Sequence, residues 1–177
     1  MFGLFKPKKS FDDETSALHD VIMEQSLLPE FYMSYGVPDT LDGRYEMFAL
    51  HLSLLANRLA DDAAYADFSQ ELYDKCFRNI DKGLREAGIG DMGVPKHMKR
   101  MMKGFNGRVH AYSEGLTKGA SVKVLDAAIE RNIYGTLQSP KKEHVRAMRA
   151  YIKMNAKALA AQPLNDMMNG SVTFKGA

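Results

Sequence analysis

The stretch from Asp39 to Leu59 reads as a helix with almost no polar side. At about 100° per residue, Tyr45, Phe48, Leu52, Leu55 and Leu59 fall on one side, and Met47, Leu50 and Leu54 on another. A helix that is apolar around most of its circumference is solvated poorly at a surface, so other elements must surround it. The protein has the material to do so. It is 177 residues long and 45% hydrophobic, which suits one domain with a real core.

The flanking segments carry helical periods punctuated by Pro and Gly, and no strand alternation of useful length. The pattern predicts a helix from about Asp13 to Leu27, and a turn or two from Pro29 toward Tyr35 that Gly36-Val37-Pro38 ends. After the central helix come Asp67 to Ala87, Pro95 to Leu116 with Pro95 at the first helical position, Val122 to Tyr134, and a last long helix that Ser139-Pro140 opens and Gln162-Pro163 stops. The expected fold is all-α, a single compact domain of about seven helices around a buried central helix. Residues 1–10 are expected to be a flexible N-terminal segment, 11–168 the helical domain, and 169–177 a loosely held tail after the Asn169-Gly170-Ser171 turn.

Chemistry is sparse. No stretch approaches the roughly 20 apolar residues of a membrane span. The single Cys76 excludes a disulfide framework and agrees with a reducing compartment. The histidines, His19, His51, His97, His110 and His144, form no His-Glu-x-x-His pair, and there is no phosphate loop, nucleophile elbow or dinucleotide fingerprint. The carboxylate pairs Asp12-Asp13 and Asp61-Asp62 stand at helix starts, where the dipole favours them. His51, beside the apolar faces of the central helix, has two readings. It is a haem ligand or base in a helical haem or quinone enzyme, or, as the preferred reading, a hydrogen-bonded core residue. The expectation is a protein without catalytic residues, metal, cofactor or small-molecule substrate.

Charge is more informative. Residues 1–94 carry nine basic and seventeen acidic residues, and residues 95–177 fifteen and five, so a total of +2 conceals halves of −8 and +10. Such asymmetry concerns partners. The first half contains Pro38-Asp39-Thr40-Leu41-Asp42-Gly43-Arg44-Tyr45-Glu46. Asp39 is a good N-cap and Asp42 suits the first turn, whereas Gly43 costs about 1 kcal/mol in a helix and implies a close backbone approach. Arg44 is expected to pair either in the neighbourhood of Asp42 or with another helix, and a well-made cap by itself explains neither it nor Gly43.

The second half contains Gly90-Asp91-Met92-Gly93-Val94-Pro95-Lys96-His97-Met98-Lys99-Arg100-Met101-Met102-Lys103-Gly104-Phe105-Asn106-Gly107-Arg108. With Lys96 at 0°, Lys99, Arg100 and Lys103 fall at about 300°, 40° and 340°, one basic stripe. Met98, Met101, Met102, Phe105, Val109, Tyr112 and Leu116 make the opposite, core-facing stripe. From Lys96 to Arg108 there are five basic residues and no acidic one, and the first turn is basic, where the helix dipole disfavours positive charge. A solvated face normally mixes signs, so this one points to an anionic partner. Lys141, Lys142, Arg146, Arg149, Lys153 and Lys157 add a second basic set on the last long helix. A nucleic-acid-binding helical protein is the alternative reading of the same charge, although interleaved aromatics for stacking are missing.

The start of the sequence, with Phe2, Leu4 and Phe5 followed by Lys6, Lys8 and Lys9, reverses the order of a signal peptide. It reads either as a peripheral contact with anionic membrane or, as preferred, as a frayed terminus, because one apolar turn binds a bilayer only marginally.

These residues carry a resemblance. Pro38-Asp39-Thr40-x-Asp42-Gly43-Arg44-x-Glu46, followed by the apolar helix with His51-Leu52, resembles one hallmark of the ubiquinol–cytochrome c chaperone family. Gly90-Asp91-Met92-x-Val94-x-Lys96-x-Met98-Lys99-Arg100-Met101, then Phe105-x-Gly107-Arg108 and Ala111-Tyr112, resembles the other. The likeness spans roughly residues 30 to 160. It implies an all-α assembly chaperone for cytochrome b of respiratory complex III, similar to the shorter bacterial members, cytoplasmic and peripheral on the inner membrane. The implied partners are newly made cytochrome b, the ribosome, an anionic membrane surface and a helper subunit. On this reading Lys96, Lys99, Arg100, Lys103 and Arg108 meet an acidic, lipid-adjacent or ribosomal RNA surface, while Asp39, Asp42, Gly43 and Arg44 shape a neighbouring groove for the client.

Overall fold

The computed structural model describes residues 10–60 and 62–177. Phe2, Leu4, Phe5, Lys6, Lys8 and Lys9 lie outside them, as does Asp61. The described residues form eight α-helices: α1 Asp12–Ser26, α2 Pro29–Met33, α3 Leu41–Leu59, α4 Ala66–Glu86, α5 Gly93–Leu116, α6 Val122–Asn132, α7 Lys142–Ala160 and α8 Leu164–Met168. A single 3₁₀ turn, Ala63–Tyr65, precedes α4. Relative to the sequence expectation, the single turn α8 is added, and every long helix starts or ends within a residue or two of its predicted limits.

Helix α3 is the central element. Thirteen of its nineteen residues are buried, and α1, α4, α5 and α7 pack around it. Helix α4 packs against α1 and α5, and α6 bridges α5 to α7. The rules that place each are simple. Phe68, Leu72, Cys76 and Leu84 recur at helical spacing on α4 and all are buried, and Met101, Phe105 and Tyr112 do the same on α5. The stripe on α5 is narrower than its sequence suggests: Met102 is 40% exposed and Met98, Val109 and Leu116 are half-buried. Helix α5 also begins two residues before Pro95, because the Gly90 carbonyl accepts the amides of Gly93 and Val94 at 2.7 and 3.2 Å. Proline in the first turn costs no helical hydrogen bond.

The C-terminal segment corrects an expectation. Residues 169–177 are not loosely held: Val172 and Phe174 are buried in the core. The Thr173 amide and carbonyl bond the Gln162 side chain, both at 2.8 Å, and the Lys175 amide donates to Asn155 Oδ1 at 2.8 Å. Two apolar residues at alternate positions, Val172 and Phe174, let an extended strap bury one side and leave the other to solvent.

Among the described residues, no helix is long and apolar enough to cross a membrane. No cluster of three or more His, Cys, Asp or Glu there is arranged to hold a metal ion.

Candidate functional site

The two sequence motifs meet where the start of α3 crosses the first half of α5. The cap of α3 is Thr40, not Asp39: Thr40 is extended (φ −131°, ψ 167°) and its hydroxyl accepts the Gly43 amide at 3.1 Å. Asp39 instead accepts Arg44 Nε at 2.7 Å, which holds its carboxyl below the usual carboxylate range. Both partners are more than half exposed, so this pair contributes little stability. Gly43 is required by the loop before the helix: a Cβ there would collide with the Pro38 carbonyl oxygen.

Asp42, Tyr45 and Glu46 share the α3 face turned to α5, as the i, i+3, i+4 spacing dictates. Asp42 accepts Arg100 Nη2 at 2.8 Å. Tyr45 donates its hydroxyl to the Met101 carbonyl at 2.9 Å. Glu46 takes both arms of the Arg108 guanidinium, one of them through Arg108 Nε at 2.7 Å. The side chains of Arg108 and Glu46 are 18% and 11% exposed. Burial pushes the Glu46 carboxyl up, and the Arg108 charge opposes that rise. The guanidinium also lies 5.4 Å from the Tyr45 ring centre. It reaches Glu46 through the space left by Gly104, one turn back, where a Cβ would collide with it.

The basic stripe therefore divides. Lys96, Lys99 and Lys103 are exposed, and form no ion pair among the described residues. Arg100 and Arg108 are held in ion pairs with α3. Arg108 falls at about 120° on the helical projection, well off the lysine stripe, which is why it turns inward. On α7, Arg149 is likewise engaged, with Asp126 of α6 at 2.6 Å, while Lys141, Lys142, Arg146, Lys153 and Lys157 are exposed.

Two openings flank the start of α3, with Tyr45 and Met101 in the wall of both. On one side Asp42, Gly43, Glu46, Arg100 and Arg108 line a polar cavity of about 300 Å³, closed by Arg131 and Asn132 at the end of α6. On the other side Arg44 stands at an apolar groove of about 530 Å³ between α1, α3 and α4, lined by Met23, Leu27, Leu41, Phe48, Ile80 and Leu84. Leu27 and Leu41 are 42% and 45% exposed there. Sequence reasoning placed Asp39, Asp42, Gly43 and Arg44 at one groove; the structure puts Arg44 on the apolar side and Asp42 and Gly43 on the polar side, while Asp39, held by Arg44, lines neither opening. It missed Arg131 and Asn132, whose long sequence separation from the α3 motif leaves no local signal.

His51 is a core residue, which corrects the haem-ligand reading. It is fully buried, with Nδ1 2.7 Å from the Met47 carbonyl and Nε2 2.6 Å from the Tyr151 hydroxyl. A carbonyl only accepts, so Nδ1 carries the proton and Nε2 accepts from Tyr151. Gln25 then donates to Tyr151 Oη and to the Lys175 carbonyl, at 2.8 and 2.9 Å, and Phe174 packs edge-on against the imidazole at 5.0 Å. Neither ring nitrogen is open to a ligand. Cys76 is also fully buried, and burial pushes its thiol up to about 12, the environment of an inert thiol.

Residues 33–174 match the family model described as ubiquinol-cytochrome C chaperone. The crystal structure of the Cbp3 homolog from Brucella abortus is similar to this protein, with 33% sequence identity and a TM-score of 0.79, over 93% of this sequence and 90% of that one. Among curated proteins, none matches significantly in sequence. The family match runs from ahead of the first motif to beyond α8, and it is joined by a shared fold and a third of positions in common along nearly the whole length; the chain belongs to the ubiquinol-cytochrome C chaperone family.

Proposed function

We propose that this protein is a non-enzymatic chaperone in the assembly of ubiquinol–cytochrome c reductase, respiratory complex III, and that its client is cytochrome b. Family membership supports the first part. The observation that carries the second is the apolar groove between α1, α3 and α4, because a monomeric domain leaves leucines such as Leu27 and Leu41 on a shared concave surface chiefly where something docks. A groove walled by leucine, methionine and phenylalanine side chains, with Arg44, Lys82 and Glu86 as its charged residues, fits an apolar segment of such a client without enclosing it. In this proposal the exposed Lys96, Lys99 and Lys103 face the anionic membrane surface or ribosome from which the client emerges, at the cytoplasmic face of the inner membrane; their exposure supports it. A small helper subunit is compatible with the exposed face of α7.

The test is a pull-down from the native membrane fraction: cytochrome b co-purifies with the wild-type protein and is lost with Leu27→Asp/Leu41→Asp. The triple variant Lys96→Glu/Lys99→Glu/Lys103→Glu lowers complex III while stability changes by less than about 0.5 kcal/mol, because all three lysines are exposed. Arg100 is left out of that variant since a Glu there would face Asp42. Normal complex III in the triple variant removes the docking role of the stripe. RNA captured in place of cytochrome b, with a steep salt dependence, establishes the nucleic-acid reading instead.

A further inference from the structure

The apolar groove between α1, α3 and α4 contains a glycine that the fold does not need. Within the described helices, Gly43, Gly93, Gly104 and Gly115 each have a neighbour that forbids a side chain: a Cβ would strike the Pro38 carbonyl, the Ile89 side chain, the Arg108 guanidinium and Leu125, respectively. A Cβ on Gly83 of α4 would meet nothing within 4 Å. Glycine weakens a helix relative to alanine, and nothing inside the domain explains that weakness here. Gly107 of α5 is equally unobstructed, but it lies in a polar recess beside the exposed His110 and Glu114. Gly83 instead lines the groove of about 530 Å³.

Its place on the helix makes that openness informative. On the helical projection Gly83 lies within about 20° of Leu72 and Cys76, both buried, so it belongs to the inward face of α4 and is nevertheless exposed. Helices α1 and α4 touch at their starts, where the Phe11 and Phe68 rings are 5.2 Å apart and Lys75 pairs with Asp12. Toward their ends the groove opens, with Met23, Leu27, Ile80 and Leu84 in its walls, and Gly83 faces into it. The walls also select the form of the occupant. They are helical, and helices satisfy their backbone groups internally except in the end turns, so no strand edge is offered to an extended chain. The hydroxyls of Ser26 and Tyr45 are committed to the Met23 and Met101 carbonyls at 3.0 and 2.9 Å, and Asn79 adds one side-chain amide. An extended segment would bury a donor and an acceptor per residue against these walls, whereas a helix arrives with both satisfied. The lip charges are paired as well, Arg44 with Asp39 at 2.7 Å and Lys82 with Glu86 at 3.7 Å. Lips without net charge complement an uncharged helix face rather than an acidic or basic one.

We propose that the groove binds one α-helix, apolar and uncharged on the bound face, whose backbone rests against Gly83. The absent side chain lets the two helix axes come to the short end of the roughly 8–10 Å usual for packed helices. That this helix belongs to the client rests on the chaperone reading; the preference for a helix over an extended segment does not.

Fluorescence anisotropy with the full-length protein tests it. The probe is a labelled, uncharged peptide of about four turns, with leucine and alanine on one face and glutamine on the other, held helical by α-aminoisobutyrate. Its counterpart carries a central proline that breaks the helix. The expected result is saturable binding of the helical probe and about tenfold weaker binding of the interrupted one. Gly83→Ala and Gly83→Leu separate contact from folding. Both raise the urea midpoint, because the position is helical and unobstructed, yet Gly83→Leu lowers affinity for the helical probe about tenfold and Gly83→Ala lowers it by less. No saturable binding to the folded wild type, equal binding of the interrupted peptide, or unchanged affinity in Gly83→Leu overturns the proposal. A wild-type dimer in sedimentation that Gly83→Leu dissociates assigns the groove to a second copy and overturns it too. The pull-down of cytochrome b is read apart from these. Capture of cytochrome b alongside any of the overturning results removes the helix proposal and leaves the chaperone reading, and probe binding as expected without capture does the reverse.

Discussion

Gly43 and His51 stand eight residues apart on α3, and each shows a side chain, or its absence, chosen by a neighbour. On propensity alone Gly43→Ala would stabilise a helix by up to about 1 kcal/mol. The collision with the Pro38 carbonyl reverses that sign, and the expected outcome is a loss of about 1–3 kcal/mol, seen as a lower urea midpoint with unchanged slope. A higher midpoint would show that the loop simply yields. His51 carries a pH prediction. Burial pulls its pKa down from 6.5 to about 4, with the Met47 carbonyl opposing. The folded-state value is depressed, so the unfolded state takes up the proton first. The associated stability is present above about pH 6.5 and is lost as pH falls toward 4, by up to about 3 kcal/mol. Unfolding free energies at pH 7 and pH 4.5 therefore differ more in the wild type than in His51→Gln, and equal differences would assign the acid sensitivity elsewhere. That His51 lies in the core was legible from its place in an apolar helix. Its partner Tyr151 was not, being 100 residues away on α7.

At the scale of elements, the C-terminal strap is the clearest departure from expectation. Its Asn-Gly-Ser turn and polar ends resemble a frayed tail, yet Val172 and Phe174 are buried and the strap's backbone bonds Gln162, Asn155 and Gln25. Truncation after Gly170 removes this burial and leaves Asn155, fully buried, without its Lys175 partner. The expected cost is about 2–4 kcal/mol, a fall in Tm of roughly 5–15 °C by calorimetry. A Tm unchanged by the truncation would mean that the strap adds nothing to the core. Helix α5 shows the converse: its periodicity located Met101, Phe105 and Tyr112 in the core correctly, since these sit at the centre of the apolar stripe. Met102 and Arg108, at the stripe's edges, went the other way, because an edge residue's fate depends on how the neighbouring helices are rotated.

For the whole molecule, the −8 and +10 halves are stitched rather than merely adjacent. Asp42–Arg100 and Glu46–Arg108 join α3 of the acidic half to α5 of the basic half, and so engage two of the cations of α5. The exposed remainder on α5 and α7 predicts electrostatic binding to vesicles containing anionic lipid at about 50 mM salt, and release by about 500 mM, where the Debye length has shrunk several-fold. Retention at high salt in a flotation assay would shift the contact from the lysines to apolar groups.

Local properties of the sequence were enough to determine the all-helical class, the identity of the central helix, the helix order and the concentration of positive charge on α5 and α7. Helical period and apolar content belong to a segment by itself, and a helix apolar on all sides has only one place to go. The tertiary structure alone decided which cations remain outside, where the tail lies, and that Arg131 and Asn132 of α6 stand at the same cavity as the start of α3. Each of those depends on the rotation and offset between elements whose contacting residues are mostly far apart in sequence. Such offsets are set by the packing of side chains from several elements at once, a quantity that no single segment's pattern contains.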